Sequence, residues 1–174
     1  MPSRSEEDWF LFYAFIGRVL SNWSQCEYAL EHCVVCIYFN CPGGRSEKRV
    51  PVLFEPKTAY LLKMLNSQTE LAGFRDEGSA LVAELKTYAT NRHVLAHGAA
   101  LQFDPTTKHI EVLKHEFKNN TAKMTKVHVP VGALEPLGAD LAKLALSLCA
   151  FAMKLEKAFP YSGEPLIGGL PAKK

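Results

Sequence analysis

The sequence predicts a mainly α protein, a four-helix bundle with a small antiparallel β insert between its third and fourth helices. Three observations carry this. Apolar residues recur every three or four positions over two long stretches near the start and end of the chain, and over a shorter one that ends near residue 97. Between residues 99 and 131 the period changes to the two-residue alternation of strands. Proline, glycine and asparagine cluster between these segments, where the chain must turn.

The first helix opens at Ser5-Glu6-Glu7-Asp8, which reads as a capping box: a hydroxyl, then an acid three residues on. Trp9, Phe12, Ile16, Val19, Trp23, Cys26, Leu30, Cys33 and Ile37 follow in unbroken steps of three and four. That spacing is one face of a helix of about eight turns. The stretch NCPGGRSEKR, Asn40 to Arg49, ends it. A second helix is expected from Pro56 to Asn66, with proline in the first turn, where it is tolerated. Ala59, Leu62 (or Leu61) and Leu65 give its face, and Lys57 reads as plain surface. NSQTELAGF is a linker. The third helix runs from about Arg75 to His97, on the seam Leu81, Leu85, Tyr88, Arg92, Leu95.

Three strands follow, in ALQFD, HIEVLKHEF and KMTKVHVPV, with DPTTK and KNNTAK as turns and one face solvated. The last helix spans about Leu134 to Phe159 on Leu134, Leu137, Leu141, Leu144, Leu148, Phe151 and Leu155. Seams this regular favour nearly parallel or antiparallel helices. Residues 1–160 therefore read as one domain, and 161–174, rich in Pro and Gly, as a flexible tail.

The chain has 174 residues, 48% of them hydrophobic, enough to bury a real core. A net charge of +2 does not announce a nucleic-acid binder, so any such binding needs a local patch. The lysine- and histidine-rich stretch KHIEVLKHEFKNNTAKMTKVH is a candidate RNA surface, set against an ordinary solvated sheet face. No uninterrupted apolar run approaches the ~20 residues of a membrane span. The acidic N-terminus does not read as a secretory signal. A cytoplasmic protein without membrane contact is the expectation. Cys26, Cys33, Cys36, Cys41 and Cys149 read as small buried thiols in a reducing compartment, with no zinc-finger spacing among them. Trp9 and Trp23 read as core or interface. The aromatics around the start of the first helix (Trp9, Phe10, Phe12, Tyr13, Phe15) exceed what one bundle face needs, which suggests a homodimer.

The chemistry concentrates in NRHVLAHG, Asn91 to Gly98. Arg92 falls on the apolar seam, where an unpaired guanidinium costs several kcal/mol unless it meets an anion or stays at a wet interface. His93 and His97, four residues apart, share a helix face. Arg92 and His97, five apart, lie about 140° around the helix from each other. They converge on one target only if the helix loosens near Gly98, or if two copies of the segment face each other. Gly98 suits the C′ residue that ends a helix. A histidine can move a proton and an arginine can hold a phosphate. Together they suit attack of an RNA 2′-hydroxyl on its own phosphate. Asn91 can cap or contact phosphate, and Glu27, one turn after Trp23, can orient Arg92. No metal or cofactor is expected: His93 and His97 have no acid between them in the H-E-x-x-H manner and no evident third ligand.

The run R-H-V-L-A-H, Arg92 to His97, resembles the R-x4-6-H motif of HEPN domains, in the form where a polar residue, here His93, follows the arginine. The following Gly98 is also usual in bacterial HEPN-like proteins, and the four-helix frame, with the motif late in the third helix, is similar. The resemblance rests on this one short motif and on architecture. It implies a homodimer whose two motifs meet in a cleft and cut RNA without metal. It further implies work in toxin–antitoxin or antiviral defence, with a possible antitoxin or defence partner protein. Arg92 and His97 would be the catalytic pair, with His93 in support. The β insert departs from a minimal bundle. The alternative is a non-catalytic HEPN-like bundle that binds RNA, a nucleotide or a partner protein.

Overall fold

A computed structural model describes the backbone of residues 4–118 and 121–160 and the side chains of 6–115 and 121–160. The helices are α1 (Arg4–Asn40), α2 (Phe54–Ser67), α3 (Arg75–His97) and α4 (Leu134–Ala158). The strands β1 (Ala99–Asp104), β2 (His109–Lys118) and β3 (Thr121–Pro130) lie between α3 and α4. The protein is thus mainly helical with a small sheet where the change of period predicts one. The expected loose tail, 161–174, lies outside the described residues.

The seam of α1 does what its spacing requires. Phe12, Val19, Trp23, Cys26, Leu30, Cys33 and Ile37 are buried, and Trp9 and Ile16 pack against them half-buried. The helix already includes Arg4, so Ser5 lies inside it and is not its N-cap. Contacts between α1 and α4 climb together: Asn22 Nδ2 donates to the Gly138 carbonyl (2.8 Å), His32 meets Glu156 (3.2 Å), and Asn40 Nδ2 donates to the Phe159 carbonyl (3.2 Å). These two helices therefore run parallel. α3 runs the other way, with Glu77 near its start holding Lys154 near the end of α4 (2.8 Å). At the crossing of α2, α3 and α4, a Cβ on Gly78 would sit 2.7 Å from both Leu65 Cδ1 and Phe151 Cζ. Glycine leaves the room that the Leu65 and Phe151 side chains fill.

α2 begins two residues earlier than its proline suggests, and of its expected face Leu61 and Leu65 are buried but Ala59 is not. Lys57, Leu61, Met64 and Leu65, at i, i+4, i+7 and i+8, are buried, whereas Ala59 is exposed. Lys57 is therefore not plain surface; it is 8% exposed and its Nζ lies 2.6 Å from Glu31. The loop from Cys41 to Leu53 returns alongside this helix and is tied to it and to the end of α1. Tyr60 donates to the Gly44 carbonyl (2.6 Å), Tyr38 to the Glu47 carbonyl (3.2 Å), and Ser46 to Met64 Sδ (3.6 Å). Gly43 takes the left-handed φ of 73° that a side chain resists.

The sheet has order β1-β2-β3, antiparallel throughout. Asp104 fixes the first turn by accepting from the Thr106 backbone N–H (2.8 Å) and the Thr107 hydroxyl (2.8 Å). The register skips Leu101 between Ala100 and Gln102, a bulge that leaves Leu101 exposed. Lys118 pairs with Thr121, so most of KNNTAK is strand, not turn. Ile110 and Val112 are buried against the helices, while β3 presents Lys123, Lys126 and His128 outward.

Val131–Ala158, containing α4, is long and apolar enough to cross a membrane by length and composition, although charged residues interrupt its apolar run. Here it packs as a core helix, with Leu141, Leu144, Leu148, Phe151 and Leu155 buried on one face. All five cysteines are free, and four are buried. Burial pushes the thiols of Cys26 and Cys33 up to about 12 and that of Cys36 to about 11.

Candidate functional site

The last turns of α3 are regular. The Gly98 N–H still donates to the Val94 carbonyl (2.9 Å), closing a helical turn. Gly98 itself is extended, with φ −83° and ψ 148°, not the left-handed C′ residue its position suggests. What requires glycine is space. A Cβ there would strike Val112 Cγ1 and stand 2.6 Å from the Val94 carbonyl oxygen. The sheet is thus pressed against the helix end that carries the motif.

Arg92 leaves the seam half-exposed. Its guanidinium lies 3.7 Å from Glu27 and 5.8 Å from the centroid of the Trp23 ring. Glu27 therefore meets Arg92 as the register of α1 suggests. The pair is loose: both side chains are about a third exposed (30% and 32%), and the separation exceeds a hydrogen bond. Solvent screening leaves such a pair about 0–1 kcal/mol. A cation over an indole adds about 0.5–1 kcal/mol at an exposed site. Arg92 is oriented by these contacts but not locked, and its donors make no hydrogen bond among the described residues.

Arg92 opens on a cleft of about 330 Å³. Trp23 and Glu27 come from α1, Phe54 and Glu55 from the start of α2, His93 from α3 and Lys114 from β2. Trp23 packs against Phe54 at 5.3 Å between ring centroids. Its Nε1 is buried with no hydrogen-bond partner among the described residues. An orphaned buried donor costs about 1–3 kcal/mol. Glu55 is occupied in part by Lys86 at 3.2 Å. The cleft thus offers acids, cations, an imidazole and an aromatic wall within the reach of one small ligand.

The five residues singled out from sequence divide. Arg92, His93 and Glu27 meet at this cleft. Asn91 lines a separate groove of about 220 Å³ with residues of β3 and α4, among them His128 and Leu137. His97 does not line the Arg92 cleft; its exposed ring lies 4.9 Å from that of His93 along the outer face of α3. The helix does not loosen, so the ~140° between Arg92 and His97 persists within one copy.

Phe54, Glu55 and Lys114 are the site residues that periodicity does not reveal. Phe54 and Glu55 open α2, just after the return loop. Lys114 belongs to the lysine-rich strand that composition does flag, but only the packing of the sheet on α3 says which lysine faces the cleft. Among the described residues no group of three His, Cys, Asp or Glu side chains lies close enough to hold a metal ion. No protein-family model matches the chain, and no curated protein or solved structure proves similar to it.

Proposed function

We propose that this chain is a HEPN-type endoribonuclease, working without a metal as a homodimer in the cytoplasm, in a toxin–antitoxin or antiviral defence system. The observation that carries the reading is Arg92. It is a half-exposed guanidinium with uncommitted donors, steered by Glu27 over Trp23, on the same helix end as the exposed imidazoles of His93 and His97. Arg92 holds a phosphodiester and stabilises its growing charge. His97 of a second copy takes the proton of the adjacent 2′-hydroxyl. The 2′-oxygen forms a bond to phosphorus and the bond to the 5′-oxygen breaks, with a proton delivered to that oxygen. The products are a 2′,3′-cyclic phosphate and a 5′-hydroxyl. The second copy is needed because one copy keeps Arg92 and His97 apart. Phe10 (73% exposed), Leu11 (45%) and Tyr13 (58%) on α1 supply apolar surface for that contact.

The test is cleavage of mixed RNAs with and without EDTA, with the product ends identified. Cyclic phosphate ends should form in both. Arg92→Ala and His97→Ala should each slow cutting by about 100-fold or more, with the melting temperature unchanged. A purified dimer that leaves every RNA intact, or variants that cut as wild type does, would sink the reading.

A second reading is favoured by one observation: His97 does not line the Arg92 cleft. The chain would then be a non-catalytic HEPN-like bundle whose Arg92 cleft binds RNA, a nucleotide or a partner protein. Arg92→Ala would then weaken binding, with no cleavage to lose.

A further inference from the structure

A second cleft, of about 900 Å³, lies on the other side of the start of α2. Phe54 and Glu55 line the Arg92 cleft, while Pro56, Ala59, Tyr60 and Lys63 line this one, so the first turn of α2 is the ridge between them. Its opposite wall is the return loop, from Ser46 to Pro51. Three cations face it, Lys48, Arg49 and Lys63, against one acid, Glu47, and Lys63 already satisfies that acid at 2.7 Å. Lys48 and Arg49 are exposed and have no ion-pair partner among the described residues. The loop that carries them is not loosely hung. Tyr60, Tyr38 and Met64 fasten it at Gly44, Glu47 and Ser46. A Cβ at Gly44 would strike the Ile37 carbonyl, so the loop is seated tightly on the end of α1. Two unneutralised cations on a fastened loop, across a cleft from a helix, form an anion site whose backbone is already ordered by the fold.

In the chain between Pro51, which lines this cleft, and Phe54, which lines the other, Val52 and Leu53 are 75% and 69% exposed. Adjacent apolar side chains flanked by cations on both sides suit a polymer with charged backbone and apolar bases, not an isolated phosphate. We infer that the Lys48–Arg49 cleft binds the phosphodiester backbone of single-stranded RNA. The strand leaves the Arg92 cleft, passes Val52 and Leu53, and continues between the return loop and α2. This rests on the RNA reading of the Arg92 cleft for the identity of the polymer. The anion site itself stands on Lys48, Arg49 and the fastened loop.

The experiment measures binding of a fluorescent 2′-O-methyl RNA of about 12 nucleotides, which cannot be cut, over a series of salt concentrations. Lys48→Glu/Arg49→Glu is compared with wild type and with Lys123→Glu/Lys126→Glu, two exposed lysines of β3. The first variant should bind at least ~10-fold more weakly and lose about 1.4 from its salt slope, roughly 0.7 for each phosphate contact. The sheet variant should lose much less, and a trinucleotide should not distinguish the first variant from wild type. Equal weakening by the two charge reversals, or an unchanged affinity and slope for Lys48→Glu/Arg49→Glu, overturns the inference. So does a mononucleotide that competes as well as the longer RNA, because the cleft then takes a free phosphate. Cleavage is assayed separately. If no RNA is ever cut but the Lys48/Arg49 effect persists, the ribonuclease reading has failed and the strand path has not.

Discussion

Glu27 and Glu31 stand one turn apart on α1, and each meets a cation from another helix, yet the two pairs are opposites. Lys57 is 9% exposed along its side chain and touches Glu31 at 2.6 Å. Arg92 is 30% exposed and stands 3.7 Å from Glu27. A buried ammonium loses the water that would otherwise solvate it, so it must keep its partner. A half-exposed guanidinium keeps that water, and its carboxylate adds little beyond orientation. Both carboxylates come from the same helix, so the helix does not set the pairs apart. Burial decides that one fastens α2 to α1 and the other leaves a cation free to trade a carboxylate for a ligand.

The largest expected effect attacks the core beneath both pairs. Burial raises the thiols of Cys26 and Cys33 from 9.0 to about 12, and that of Cys36 to about 11. Above pH 9 the unfolded chain gives up these protons while the folded chain keeps them. Stability therefore falls as pH rises, by about 1.4 kcal/mol per pH unit for each thiol affected. Urea unfolding between pH 8 and 11 should show a steep alkaline loss that shrinks when Cys33 becomes alanine. A loss of unchanged slope in that variant would remove Cys33 as a cause.

Next comes the tight pair. Glu31→Gln leaves Lys57 buried with a weaker partner and should cost about 1–3 kcal/mol in urea unfolding, with m unchanged. The figure stays below that of a fully buried pair because Glu31 is 58% exposed. Lys57→Met removes the cation and fills its space, so it should stay within about 1 kcal/mol of wild type. If the methionine variant is the less stable of the two, the pair contributes net stability and the reading of Lys57 as a desolvated charge in need of a partner is wrong.

The loose pair was more legible in the sequence than the tight one. Arg92 interrupts an apolar seam, and Glu27 follows Trp23 by one turn, so helical period alone brings both to the edge of a buried face. Lys57 carries the same signal, since it lies four residues before Leu61 and seven before Met64. Anchoring the face on Ala59 hides it. The four helices and three strands follow from local periods of 3.6 and 2. What no local period encodes is which seam faces which, and so Phe54, Glu55 and Lys114 enter the cleft unannounced. The separation of Asn91 and His97 from Arg92 follows from a helix that stays regular to its last residue. Gly98 shows the same limit: the stop was visible, but its cause is Val112, a contact made only when the sheet packs.

Glu27→Gln should cost less than about 1 kcal/mol, which sets the loose pair apart from the tight one on the same scale. Arg92→Lys should be equally mild in stability but should reduce RNA cutting, because an ammonium cannot present the paired donors of a guanidinium to a phosphate. A Glu27→Gln loss as large as that of Glu31→Gln, measured side by side, would erase the distinction between the two pairs.

The smallest effect should come from Trp23, because two terms nearly cancel there. Trp23→Phe removes the smaller ring of a side chain that is 2% exposed, and the cavity and the weaker cation contact with Arg92 together cost about 1–2 kcal/mol. The same change removes a buried indole N–H that has no partner among the described residues, which returns about 1–3 kcal/mol. The net change should lie within about 1 kcal/mol of zero. A loss beyond about 2 kcal/mol would mean that Nε1 does find an acceptor in solution. Trp23 would then belong with Lys57 among the groups that hold the bundle together, not with Arg92 at the rim of the cleft.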